Sequence, residues 1–551
     1  MYRRKGIDSV STRAAVVRWT VLAAALALLN LSLTFVNVWP TLFVRLTGAV
    51  SIEAALLVLV MVIIRARIGP PAPAVLRLLG VLWLVLVVGR YADVTSRSLY
   101  GRDINLYWDA RYMPDVGSML AVVAEPWMVA AVVAGALLFP LIAYILIRWA
   151  LGCVSDATHD PWGRRALAAL AAAVLACGIA QRLDARIPEV LEIAAPVTPV
   201  FMSQARRFAY ELSGAGMRAL PPATPITSDL ARVRGADVFL VFIESYGQVS
   251  WDRPAFVTAL ASSRAGLEAA IRDTGREVVS ASIESSTFGG ESWLAHISLL
   301  TGTEVRDQET NVRLMARPRD TMVTAFARQG YRTVAVMPGL QRQWPEGRFY
   351  RFDQVYGADE LDYHGPPFGW WDVTDQYVFA RLDALSLPRP PGQPLFVFFP
   401  TISTHTPFTP TPPYQPDWKR VLTAEPYDAD ELDRAWSEPP DWLNLGPGYT
   451  QALDYIHATL GGYLRLHGSR DLVMILVGDH QPPAAVSGEG ASWDVPVHVI
   501  ASRRELLDRL LTHGFRKGLA PTMQPLMKIN AMLPVLLDGF GDVSSNLAAH
   551  R

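Results

Sequence analysis

Long runs without charge constrain this chain before anything else does. Residues 19–44 contain no charged side chain, and neither do residues 126–147. Each run is long enough for the roughly 20 residues that cross the hydrocarbon core of a bilayer. Residues 54–64 and 78–89 are shorter clean runs that reach spanning length by taking in neighbours, with Glu53 and Arg77 near their ends. Residues 166–181 form a fifth, alanine-rich run, readable as a span or as an amphipathic surface helix. The expectation is an α-helical transmembrane domain of five helices over residues 1–182. A charged fraction of 18%, against about 25% in ordinary soluble domains, agrees with an anchor of that size. The net charge of −1 provides no basic field for nucleic acid, so no nucleic-acid partner is expected.

The arginines set the orientation, because short cytoplasmic loops carry the positive excess. Arg3, Arg4, Lys5, Arg13 and Arg18 precede the first run. Arg65, Arg67 and Arg77 lie between the second and third, and Arg148, Arg164 and Arg165 between the fourth and fifth. Five spans then place everything after Arg182 outside the cytoplasm. The first run reads as an anchor rather than a cleaved signal. Both cysteines, Cys153 and Cys177, fall in the membrane half, so the remainder is not a disulfide scaffold.

Residues 183–234 read as a juxtamembrane linker punctuated by Pro188, Pro196, Pro199, Pro221, Pro222 and Pro225. Within it, residues 201–220 can form an amphipathic helix on the membrane, with Arg206, Arg207 and Arg218 near headgroups, or an ordinary packing helix. From residue 235 to 551 the texture changes. Short continuous apolar runs at 237–243, 278–283, 332–336, 395–399, 472–477 and 495–500 have the signature of strands buried on both faces. Helical stretches separate them, which predicts one α/β domain with a mostly parallel sheet. In such sheets the site lies beyond the carboxyl ends of the strands.

Four groups stand at those ends: Glu244 after the first run, Gly289-Gly290-Glu291-Ser292 after the second, Ser403-Thr404-His405-Thr406-Pro407-Phe408 after the fourth, and Gly478-Asp479-His480 after the fifth. Singly, each has a commonplace reading: a capped surface acid, a helix N-cap, a loop histidine. Together they compose a chemistry. A divalent cation held by Glu244, Asp479 and His480 keeps open positions. Ser292 can fill one, lose its proton more readily there, and act as a nucleophile. His498, in Pro496-Val497-His498, reads as a core histidine rather than a ligand of a second metal.

With these residues in place, the chain resembles the alkaline phosphatase and sulfatase superfamily. Within it, the likeness is to membrane-anchored lipoteichoic acid synthases, phosphoglycerol transferases and phosphoethanolamine transferases. The resemblance implies an alkaline-phosphatase-like (sulfatase-like) catalytic domain outside the cytoplasm. It puts Ser292, followed by Leu300-Thr301-Gly302, on the nucleophile where those transferases use threonine. It puts Glu244, Asp479 and His480 on the metal and His405 on the phosphate, with Trp344 and Arg348, or Arg342, on the headgroup. The expected cofactor is one divalent metal ion: Mn2+ or Mg2+ suits the oxygen donors, and the histidine also admits Zn2+. The implied function is transfer of a phospho-headgroup from a membrane phospholipid donor to an envelope glycan or lipid acceptor, in a bacterial inner membrane. The alternative is a membrane-bound phosphodiesterase or phosphatase with water as acceptor. No cysteine or serine lies in the C/S-x-P-x-R setting of classical sulfatases, which disfavours sulfate ester hydrolysis.

Overall fold

A computed structural model describes residues 4–183, 192–213, 219–341, 344–386, 390 and 392–542. The chain divides into two compact units, one of residues 1–98 and 103–217, the other of residues 99–102 and 218–551.

The first unit is helical: α1 (Arg4–Leu31), α2 (Ile52–Arg67), α3 (Pro73–Tyr100), α4 (Leu106–Val123), α5 (Pro126–Ala157), α6 (Pro161–Arg182) and α7 (Thr198–Ser213). Among the described residues, α3, α5 and α6 are long and apolar enough to cross a membrane; α1 contributes a shorter apolar stretch, Ala15–Leu31. The uncharged run at 19–44 is not one helix. It leaves the helix at Leu31 and turns into a hairpin of β1 (Phe35–Asn37) and β2 (Val44–Leu46). The cause is polar punctuation that a charge count does not register. The Asn30 side-chain amide donates to the Ala49 carbonyl (2.9 Å), and its oxygen accepts the Ser51 N–H (2.8 Å), tying the end of α1 to the start of α2. The linker helix begins at Thr198, ahead of the expected 201, because Glu53 receives the N–H groups of Val197 and Thr198 (2.6 and 3.1 Å) and so caps its first turn. Residues 214–218 of the expected helix lie outside the described residues.

The second unit is built on a mixed, mostly parallel sheet. Its strands are β3 (Asp237–Ile243), β4 (Glu277–Glu284), β5 (Arg332–Val336), β6 (Gln354–Tyr356), β7 (Leu395–Pro400), β8 (Leu472–Gly478), β9 (Asp494–Ala501), β10 (Arg516–Lys517) and β11 (Pro525–Lys528). Their order is β10-β4-β9-β8-β3-β7-β5-β6, with β11 on β4. β9 and β10 run against the rest. The short β6, β10 and β11 carry too little apolar sequence to stand out as runs.

β3 is buried along its whole length, and its alternating side chains feed two cores. Val238, Leu240 and Phe242 face one, covered by helices 292–301, 322–328, 504–512 and 532–540. Phe239, Val241 and Ile243 face the other, covered by helices 254–259, 261–273, 375–386 and 446–466. That double cover is why the strand reads as continuous rather than alternating apolar sequence. β3 pairs in parallel with β7 on one side and β8 on the other, and Ile243 lies opposite Gly478. The residues that follow these strands therefore emerge side by side.

Gly478 makes this junction close. A Cβ there would lie 2.0 Å from the backbone oxygen of Tyr246, an atom that no rotamer change can move. A Gly478→Ala variant is expected to lose about 1–3 kcal/mol or more of stability, as overpacking does, and to lower the metal content of the purified full chain. Unchanged melting and metal content would contradict this account of the junction.

Candidate active site

Glu244 follows β3 directly and turns into the site through Ser245, whose left-handed backbone (φ 56°) is strained for a residue with a side chain. That turn aims the Ser245 N–H at Asp479 Oδ1 (2.8 Å), and the Ser245 hydroxyl donates to Glu244 Oε1 (3.1 Å). The Glu244 N–H is held by Thr401 Oγ1, beyond β7 (3.1 Å). Asp479 Oδ1 also accepts the His480 N–H (2.7 Å).

Ser292 reaches the same point from the opposite side. The chain beyond β4 passes through three consecutive residues of positive φ, Gly289 (65°), Gly290 (149°) and Glu291 (59°), and then enters the helix Ser292–Thr301. The two glycines make the sharp reversal affordable in backbone terms. The Ser292 hydroxyl donates to Glu244 Oε2 at 2.8 Å and lies 3.1 Å from His480 Nε2. The Gln481 carbonyl joins the two halves: it accepts the Gly289 N–H (3.1 Å) and lies 2.7 Å from His480 Nδ1. This bond fixes the ring orientation and turns Nε2 toward Ser292 and Glu244, whose Oε1 lies 3.3 Å away.

Electrostatics explain what the trio is suited to hold. Glu244, Asp479 and His480 are buried, and their ligand atoms lie within 4.8 Å of one another. Burial pushes the Asp479 carboxyl well above its ordinary range, and the Glu244 charge adds to the effect. Burial opposes a charge on His480, but Asp479 and Glu244 outweigh it and push the imidazole up to about 9. For Glu244, burial works to raise the carboxyl and is outweighed by His480, so it stays below its usual range. Two carboxylates in low dielectric thus demand positive charge. The donor set of two acids, one imidazole nitrogen and a neighbouring hydroxyl fits a divalent cation.

His405 lies close enough to Glu244 for its charge to lower that carboxyl. Its Nδ1 is 2.7 Å from the Thr406 carbonyl, and its ring stands edge-on to Trp371 at 4.7 Å, in a small pocket shared with Phe368 and Trp370. Trp344 and Arg348 line a cavity with Arg351 and Phe352. Arg342 lies outside the described residues. His498 has both ring nitrogens occupied, Nδ1 by Ser280 Oγ (2.7 Å) and Nε2 by Tyr246 OH (3.1 Å), as a core histidine should.

Asp375 escaped the sequence reading. It opens the helix Asp375–Ser386 and is fully buried, and its two carboxylate oxygens accept the N–H groups of Ile402 and Ser403 (2.9 Å each). It thereby fixes the loop that carries His405. As the first residue of a helix it looks like an ordinary dipole partner, and no local pattern shows that it faces a loop 27 residues away.

Residues 294–496 match the Sulfatase family model; the matched segment contains His405, Asp479 and His480 and starts just after Ser292. No curated protein matches the chain. Among solved structures, the lipooligosaccharide phosphoethanolamine transferase EptA from Neisseria meningitidis is 14% identical, over 88% of this chain and 87% of its own, with a TM-score of 0.47. The lipoteichoic acid synthase LtaP from Listeria monocytogenes is 14% identical over 58% and 78%, TM-score 0.37. The phosphoglycerol transferase GacH from Streptococcus pyogenes is 12% identical over 56% and 79%, TM-score 0.34. The second unit is an α/β domain, and residues 294–496 of it are similar to the Sulfatase family.

Burial pushes the Asp375 carboxyl up to about 6, whereas an unfolded chain releases that proton near 4. The folded state binds the extra proton between those values, so this contribution to stability is present below pH 4 and fades as the pH rises through 6. An Asp375→Asn variant lacks it. Its stability relative to the wild type should improve by on the order of 2–3 kcal/mol between pH 4 and pH 7, measured by denaturant unfolding at both values. A difference independent of pH would contradict the assignment.

Proposed function

We propose that the chain is a metal-dependent, membrane-anchored phosphotransferase that moves a phospho-headgroup, of the phosphoglycerol or phosphoethanolamine type, from a membrane phospholipid to an acceptor hydroxyl. The observation that carries this reading is the Ser292 hydroxyl, held 2.8 Å from Glu244 and 3.1 Å from His480 at the start of a helix. A helix N-terminus favours an anionic group such as phosphate.

The chemistry follows from that placement. Glu244, Asp479 and His480, with Ser292 as a fourth ligand, are the residues that would hold the cation. When bound, the metal lowers the pKa of the hydroxyl and offsets charge on the phosphoryl oxygens. Ser292 Oγ attacks phosphorus: the Oγ–P bond forms and the bond from phosphorus to the diacylglycerol oxygen breaks. The serine gives up one proton and the departing alcohol gains one, so the step is balanced. The acceptor hydroxyl then attacks the phosphoserine, the P–Oγ bond breaks, and the proton lost by the acceptor restores the serine. His405, fixed by the Thr406 carbonyl and the Asp375-held loop, binds the phosphoryl oxygens. Manganese or magnesium suits the oxygen-rich donors, and zinc is admitted by the histidine.

The donor class is supported by the long apolar helices of α3, α5 and α6, which keep the domain at a lipid surface. The reading places the protein in a bacterial inner membrane with the sulfatase-like domain outside the cytoplasm, where an envelope glycan or lipid supplies the acceptor hydroxyl.

A Ser292→Ala variant should retain metal, lose turnover by roughly 10^4-fold or more, and form no covalent phospho-adduct. Asp479→Asn should lose the metal itself. Retained turnover in Ser292→Ala would overturn the covalent route. Turnover of the wild type at its full rate without any acceptor alcohol would make the enzyme a hydrolase instead.

A further inference from the structure

A second feature of chemical interest lies within the helical unit. The start of α2, the end of α6 and the first half of α7 line an open groove of about 590 Å3, within the roughly 300–1,000 Å3 of sites for drug-sized ligands. Its walls are mostly apolar, with Leu56, Leu175, Ile179 and Met202 among the lining side chains. Two exposed arginines also line it, Arg182 on the last turn of α6 and Arg206 on α7.

The charge in this groove is unbalanced. Among the described residues, no carboxylate lies within ion-pair distance of Arg182 or Arg206. Among the described residues, the acid lining the groove is Glu53, and it is already satisfied. Its Oε1 accepts the Val197 N–H, the Thr198 N–H and the Thr198 hydroxyl (2.6, 3.1 and 3.2 Å), and its Oε2 accepts the Ser51 hydroxyl (3.1 Å). Those bonds also fix the start of α7 against the start of α2, so Arg206 is carried on a braced helix. At Gly178, where a Cβ would come within 2.9 Å of Ile52 Cδ1, α6 approaches α2 closely and forms the floor.

We propose that this groove seats one phospholipid, with an acyl chain along the apolar wall and the phosphodiester between Arg182 and Arg206. A guanidinium pair binds phosphate oxygens by charge-assisted, bidentate hydrogen bonds. A free anion would leave the apolar wall uncovered, whereas a phospholipid matches both parts. As a seat for the donor, the groove rests on the transfer reading above; as a lipid site, it is tested without turnover.

The test uses the full chain in nanodiscs of phosphatidylcholine doped with a photoreactive phosphatidylglycerol, with adducts mapped by peptide mass spectrometry. Labelling is expected at the α2, α6 and α7 walls. In an Arg182→Gln/Arg206→Gln variant it should fall about tenfold or more, because both charges that attract the phosphate are removed. Labelling of the lipid-facing stretch around Leu137 and Ile145 on α5 should not change. The Arg182→Lys/Arg206→Lys variant should recover part of the signal, which a merely unfolded protein would not do. Equal labelling of the glutamine variant and the wild type would overturn the proposal. So would abolition of labelling by excess inorganic phosphate, which would mark a free-anion site. Metal content should be unchanged in the arginine variants. Failure of the groove with intact Ser292-dependent turnover therefore leaves the transfer reading standing, and the converse result separates the two in the other direction.

Discussion

The parallel pairing of β3 between β7 and β8 is the constraint on which the rest of the candidate site depends. Ile243 lies opposite Gly478, and neighbouring strands are about 4.8 Å apart. Glu244 and Asp479 must therefore emerge as neighbours, each at the end of a strand too deeply buried to shift. The same register delivers Thr401 to the Glu244 N–H and starts the loop that leads to His405. A slip of one residue would exchange the two faces of β3 and move Glu244 away from Asp479 together.

That enforced proximity creates an electrostatic problem with a chemical use. Two carboxylates packed at the tips of apolar strands repel each other and are poorly solvated. His480, with its Nδ1 proton directed to the Gln481 carbonyl, offsets part of the charge, and a divalent cation would offset the remainder. The Gly289–Glu291 reversal then brings a hydroxyl to the edge of this charged cluster from across the sheet. The aromatic pocket at His405 and the Asp375 clamp lie on the far side, so the centre is bounded by parts of the chain separated by more than 200 residues.

Much of this was legible in the sequence because the strands are buried on both faces. The six apolar runs coincide with β3, β4, β5, β7, β8 and β9; Glu244 and the Asp479–His480 pair follow such runs directly, and Ser292 and His405 stand in the loops after theirs. The antiparallel direction of β9 was not legible, since a reversed buried strand has the same composition as a parallel one. In the helical unit, charge alone was an incomplete guide: the uncharged run at 19–44 hides a hairpin because asparagine, serine and threonine end a helix without adding charge. Trp344 and Arg348 were assigned by resemblance alone, and they line a cavity with Arg351 and Phe352. Asp375 was invisible, since its partners are backbone amides that carry no sequence signature.

The central claim is that Ser292 carries the phospho-headgroup between donor and acceptor. The most direct measurement is peptide mass spectrometry of the full-length protein after incubation with divalent metal and total membrane lipid, without acceptor. The account predicts a phosphoglycerol or phosphoethanolamine adduct on the peptide containing Ser292, chased away when an acceptor alcohol is added. Diacylglycerol release with no adduct on that serine, or with an adduct on a different residue, would contradict it.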